Sequence, residues 1–95
     1  MAPSQNGRLP LLGQAAQGGK LEITTLLLAH GAKIEEKDNM GMTPLFKAAY
    51  SGEIDIVKLL LSKGADRNTR NAYGNSPADA ARENKHPEVV KLLEQ

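Results

Sequence analysis

The sequence matches itself at an offset of 33 residues, and this repetition restricts the possible fold more than any other feature. Without a gap, residues 6–38 and 39–71 agree at 11 of 33 positions. Gly19, Ile23, Leu26, Leu27, Leu28, Gly31 and Ala32 fall on Gly52, Ile56, Leu59, Leu60, Leu61, Gly64 and Ala65, and Ala15 and Ala16 fall on Ala48 and Ala49. Residues 39–62 and 72–95 agree at 7 of 24 positions, Gly41 falling on Gly74 and Pro44 on Pro77. Unrelated stretches of ordinary composition agree at roughly one position in fifteen. A chain with this period is built from copies of one small unit, each burying its neighbour's apolar face.

Local signals define the unit. Thr43 followed by Pro44 is an N-cap followed by the one helical position where a missing N–H costs nothing. A short helix is predicted from Pro44 to about Ser51, ending at Gly52. Ile54, Ile56, Val57, Leu59, Leu60 and Leu61 crowd a second helix, which stops where Gly64 can turn left-handed. The polar, glycine-bearing stretch that follows, 66–75 in the second copy, reads as a projecting hairpin-like loop. Helices this short are marginal alone in water, so stacking must supply their stability.

Composition limits the chemistry. The 95 residues contain no cysteine, no tryptophan and three aromatics in all. They suffice for one small domain whose core is made from Leu, Ile, Val and Ala. Without cysteine there is no disulfide framework, thiol nucleophile, iron–sulfur cluster or cysteine-ligated zinc. The formal charge of +1 comes from interspersed signs. The two loops oppose each other, 33–42 carrying −1 and 66–75 carrying +1, so no single-sign track for a phosphate backbone is expected. No apolar run approaches the roughly 20 residues of a membrane span, and the first residues lack an apolar signal core. The expectation is an intracellular protein, cytoplasmic or nuclear, bound neither to membrane nor to nucleic acid.

Gly41 to Arg70, GMTPLFKAAYSGEIDIVKLLLSKGADRNTR, resembles the ankyrin repeat, whose mark is a 33-residue period with a T-P-L-H-x-A core. Here the core reads Thr43, Pro44, Leu45, Phe46, Lys47 and Ala48, phenylalanine standing where the family has histidine. The resemblance implies an all-α solenoid: a stack of three helix-turn-helix units with projecting β-hairpin-like fingers. The expected division is a disordered lead at 1–7 and a repeat domain at 8–95. Within that domain, 8–38 is an N-terminal cap unit, 39–71 a full repeat and 72–95 a C-terminal cap unit. The outer units depart from the pattern. Thr24 stands at the register of Val57, and the last unit has Ala78 for Leu45, Asp79 for Phe46 and Arg82 for Ala49. An arginine there opposes closure by a further unit.

Nothing in the pattern builds a catalytic, metal or cofactor site. His30 falls near the end of a second helix, where a cation suits the helix dipole, and His86 precedes Pro87; neither has an i, i+4 ligand partner or a nucleophile arranged beside it. Gly18-Gly19 continues into neither phosphate-loop motif and reads as a turn between helices. Glu35, Glu36 and Asp38 alternate with lysines and lack the glycine and terminal glutamate of a calcium loop.

The resemblance implies instead that a protein partner is bound on the concave face of fingers and first helices, at positions left open by the repeat pattern. In this chain those are Asn39, Met40, Met42, Tyr50 and Ser51 in the middle unit, and Ala72, Tyr73, Asn75, Glu83 and Asn84 in the last. Lys47 and Arg70 border the set and are expected to recognise a carboxylate. Tyrosine and methionine are enriched at protein interfaces, and both tyrosines of the chain fall here. The expected function is a non-catalytic protein-interaction module, with a structural spacer or a fragment of a longer array as the alternative. A monomer is expected, with weak self-association through incompletely polar caps. Asn68, two residues after Asp66 and eight after Leu60, resembles the asparagines hydroxylated in ankyrin repeats, with Arg67 where an aliphatic neighbour is usual.

Overall fold

A computed structural model of the chain describes residues 11–95; the expected lead at 1–7, and the start of the first unit, lie outside them. Among the described residues six helices follow one another in three pairs: α1 (Leu11–Gln17), α2 (Leu21–Ala29), α3 (Pro44–Ser51), α4 (Ile54–Ser62), α5 (Pro77–Glu83) and α6 (Pro87–Leu93). The first helices form one layer, with α3 between α1 and α5, and the second helices another, with α4 between α2 and α6. No helix among the described residues is long and apolar enough to cross a membrane.

The helix limits follow from the caps. Thr43, extended at the N-cap of α3, accepts the Phe46 N–H at 3.2 Å, and Pro44 takes the first turn. Gly52 closes that helix at φ +75. The last unit strengthens the same device. Ser76 accepts the Asp79 N–H while Asp79 accepts the Ser76 N–H, a reciprocal capping box that satisfies two otherwise orphaned donors. Val57 and Leu60 on α4 and Leu45, Ala48 and Ala49 on α3 are completely buried, and with Ala16, Ile56, Ala81, Val89 and Leu93 they form one core across the three units. Alanines in the first-helix layer let adjacent units approach closely, and the leucine-rich second helices fill the remaining volume.

Identical registers meet different surroundings. Ile56 and Val89 are buried, but Ile23, at the same position of the first unit, is 51% exposed. Pro44 and Pro77 are buried, whereas Leu11 is exposed; Leu26 is exposed too. Thr24 is the one buried residue of α2, its hydroxyl donating to the Lys20 carbonyl at 2.7 Å. The outward side of the first unit is therefore incompletely polar. At the far end Arg82 bridges Asp79 at 3.3 Å and Glu94 at 2.6 Å.

Candidate functional site

The fingers are turns closed by their own side chains, with no strand among the described residues. In the first finger, Asp38 Oδ1 accepts the N–H groups of Met40 and Met42, both at 2.9 Å, and the Asp38 N–H donates to the Met42 carbonyl at 3.1 Å. One period on, Asn71 Oδ1 accepts from Tyr73 and Asn75 at 2.9 and 3.0 Å, and its N–H donates to the Asn75 carbonyl at 2.9 Å. A short side-chain oxygen folded onto the following backbone is what Asp and Asn do best in a turn. The hairpin shape thus arises without a ladder. Glycine at φ +77 in Gly41 and +82 in Gly74 completes each turn.

The fingers are joined to each other. Glu35 Oε2 accepts the Asp66 N–H at 2.6 Å near the base, and the Ala72 N–H donates to the Met40 carbonyl at 2.9 Å near the tip. The backbone of the second finger comes so close that a Cβ on Gly41 would lie 3.1 Å from the Ala72 nitrogen.

The candidate partner-binding residues divide into exposed and engaged groups. Tyr50, at the end of α3, is 47% exposed; Tyr73, on the second finger, is 69% exposed. Phe46, the remaining aromatic, is buried at 4%. Met42, Phe46, Lys47 and Tyr50 come together with Gln17 of α1 around a recess of about 220 Å³. Asn39, Met40, Ala72, Glu83 and Asn84 are exposed, while Ser51 and Asn75 are half-buried. The Asn84 amide donates to the Ala80 carbonyl at 2.9 Å.

The two cations expected to await a partner's carboxylate already have one. Lys47 Nζ lies 3.1 Å from Asp38 Oδ2, and its side chain is only 11% exposed. Burial pushes the Asp38 carboxyl pKa up, but the Met42 N–H, the Lys47 ammonium and the Met40 N–H outweigh it and hold the group below its ordinary value. Arg70 donates to the Gly74 carbonyl at 2.8 Å and lies 3.6 Å from Asp79. The Ser76 backbone N–H chiefly lowers the Asp79 pKa; burial opposes it, and the Ser76 hydroxyl, Arg70 and Arg82 add to it. Among the described residues, no three His, Cys, Asp or Glu side chains converge as a metal set.

Two contacts, those of His86 and Arg67, were not expected from residue pattern alone. The His86 ring sits on Gly52, where a Cβ would come within 2.6 Å of Nδ1, and its Nε2 lies 3.1 Å from the Tyr50 carbonyl. Arg67 reaches the end of α6, donating to the carbonyls of Leu93 at 3.3 Å and Gln95 at 2.8 Å, groups a helix end leaves without partners. Asn68 is exposed, its N–H donating to the Asp66 carboxylate at 2.8 Å. The first contact had a sequence signal: residues 20, 53 and 86 share a register, each preceded by a position where two of three units have glycine. Arg67 had none, since Ile34 at the same register packs on the core.

The family model described as ankyrin repeats, in three copies, matches residues 12–95. No curated protein matches the chain.

Proposed function

We propose that this chain, which belongs to the ankyrin repeat family, binds a protein partner without catalysis, on the face formed by its fingers and first helices. Ankyrin repeats generally mediate contacts between proteins. The observation that carries the reading is the sorting of the aromatics: Phe46 fills the interior, whereas Tyr50 and Tyr73 stand out from it. The exposed tyrosines are available to a partner, and each brings a rigid apolar ring with a polar tip. The recess beside Tyr50, lined by Met42, Phe46 and the Lys47 stem, would accept an apolar side chain. Asn39, Met40, Ser51, Asn75 and Glu83 form the surround. Lys47 shapes this patch by holding Asp38, and a partner's acid contacts it only by competing with that pair.

In this reading 39–71 is the full repeat and 72–95 closes the array. Arg82 and Lys85 stand at the registers of Ala49 and Gly52, and side chains of that size and charge oppose the close approach of a further unit. Asn68, exposed and with its side chain in no hydrogen bond among the described residues, remains a modification site on this proposal, read out by mass after incubation with an asparaginyl hydroxylase.

The test is differential capture followed by affinity measurement. Alanine at both Tyr50 and Tyr73 should weaken the purified partner by about 2 kcal/mol or more. The thermal transition should hardly move, because both rings are exposed. If every protein retained by the wild type is retained equally by the double variant, the patch does not bind.

A further inference from the structure

The outer side of the last unit carries a second surface, distinct from the fingers. Arg82 on α5, Lys85 and His86 in the turn, and Pro87, Val90 and Lys91 on α6 surround a recess of about 480 Å³. Its wall is almost wholly apolar, made of Pro87, Val90 and the carbon stems of the long cations, whose charged heads reach the rim. No carboxylate lines it. Arg82 is shared with Asp79 and Glu94, but neither Lys85 nor Lys91 forms an ion pair among the described residues.

Lys85 is also held in an unfavourable backbone state. Among the described non-glycine residues, it has the one positive φ, +62. Its counterparts are Gly19 and Gly52, where the next unit's Glu53 and His86 press against the missing Cβ. A lysine is sterically possible at this register only where no such neighbour presses. Glycine would serve the turn with less strain, so the side chain is kept at a cost, a pattern associated with functional positions.

We propose that this recess binds an extended peptide in which an acidic residue adjoins a large apolar one. The apolar side chain enters between Pro87 and Val90, and the carboxylate meets Lys85 and Lys91. The complementarity is specific in sign: an apolar floor flanked by two unpaired lysines desolvates an acidic–apolar segment and repels a basic one.

The probe is a fluorescein-labelled peptide of alternating glutamate and leucine, followed by anisotropy on the full chain at physiological salt. The wild type should bind it, and should bind a glutamine–leucine peptide about tenfold more weakly. Lys85→Glu combined with Lys91→Glu should weaken the acidic peptide by about tenfold or more while the circular dichroism stays unchanged, since both side chains are exposed. Lys85→Gly should weaken it and raise the thermal transition, a pairing that a purely structural role for Lys85 would not give. Tyr50→Ala with Tyr73→Ala should bind the peptide as the wild type does, which separates this surface from the finger face. Equal binding of the acidic and neutral peptides, equal binding by the charge-reversed variant, loss in the tyrosine variant, or binding only to anionic phosphatidylserine vesicles would each overturn the proposal.

Discussion

The two fingers are built on the same turn and are held by different means. In 33–42 the turn acceptor is a carboxylate, Asp38, and a lysine 3.1 Å away neutralises it. In 66–75 it is the neutral amide of Asn71, and the register of Lys47 is filled by Ala80. The two substitutions go together physically. A half-buried carboxylate is costly without a counter-ion, whereas an amide oxygen needs none. The first finger also leans on the second through Glu35 and the Met40 carbonyl. The corresponding Asn68 is exposed, and nothing lies within 4 Å of where a Gly74 Cβ would be. One turn chemistry thus serves an embedded finger and an outer one, with the neighbours setting what each substitution costs.

Replacing the finger glycines should separate the two contexts most strongly. Both have positive φ, so alanine pays about 1 kcal/mol at either site for the left-handed conformation. At Gly41 the new methyl would also press on the Asn71 Cα and on the Ala72 nitrogen, whose N–H donates to the Met40 carbonyl. Gly41→Ala should therefore cost about 2 to 3 kcal/mol in denaturant unfolding, and Gly74→Ala only about 1. Equal losses would mean that the fingers do not support each other.

A smaller effect tests the exchange of acceptor. Lys47→Ala leaves the Asp38 carboxylate without its ammonium and should cost about 1 to 2 kcal/mol. Adding Asp38→Asn recreates the arrangement of the second finger and should recover part of that loss, giving a coupling of about 1 kcal/mol in a double-mutant cycle. Simple additivity would sever the link between the two positions.

The smallest effect is in the acid limb. Because the folded Asp38 pKa lies below the unfolded value, its contribution is complete above the ordinary carboxylate range and is lost as pH falls through the folded pKa. Unfolding free energy measured against pH should fall less steeply for Asp38→Asn than for the wild type below that range. Asp79, lowered in the same direction, should leave a residual slope.

Much of this architecture was legible in the residues because its signals are local. Thr43-Pro44 and the left-handed glycines mark helix limits through contacts within a few residues, and the limits of α3 and α4 came out where expected. The reciprocal Ser76–Asp79 cap emerges only in the structure, since Asp79 stood out in the sequence only as a departure from Phe46. The candidate binding residues were less legible. Tyr50 and Tyr73 are candidates through the family resemblance, but Lys47 reads there as a free cation because its partner, nine residues away, is a turn residue whose own role is hidden.

The period, the helix pairs and the identity of the turn residues were determined by the sequence alone, since each depends on steric and hydrogen-bonding preferences that act over one turn of chain. Burial was decided by the stack. Ile23 and Ile56 are the same residue at the same register, yet one is exposed and the other enclosed. Likewise only the assembled layers bring Arg67 to the end of α6 and His86 onto Gly52. Such contacts join residues tens of positions apart, and their energies exist only once neighbouring units have excluded water between them.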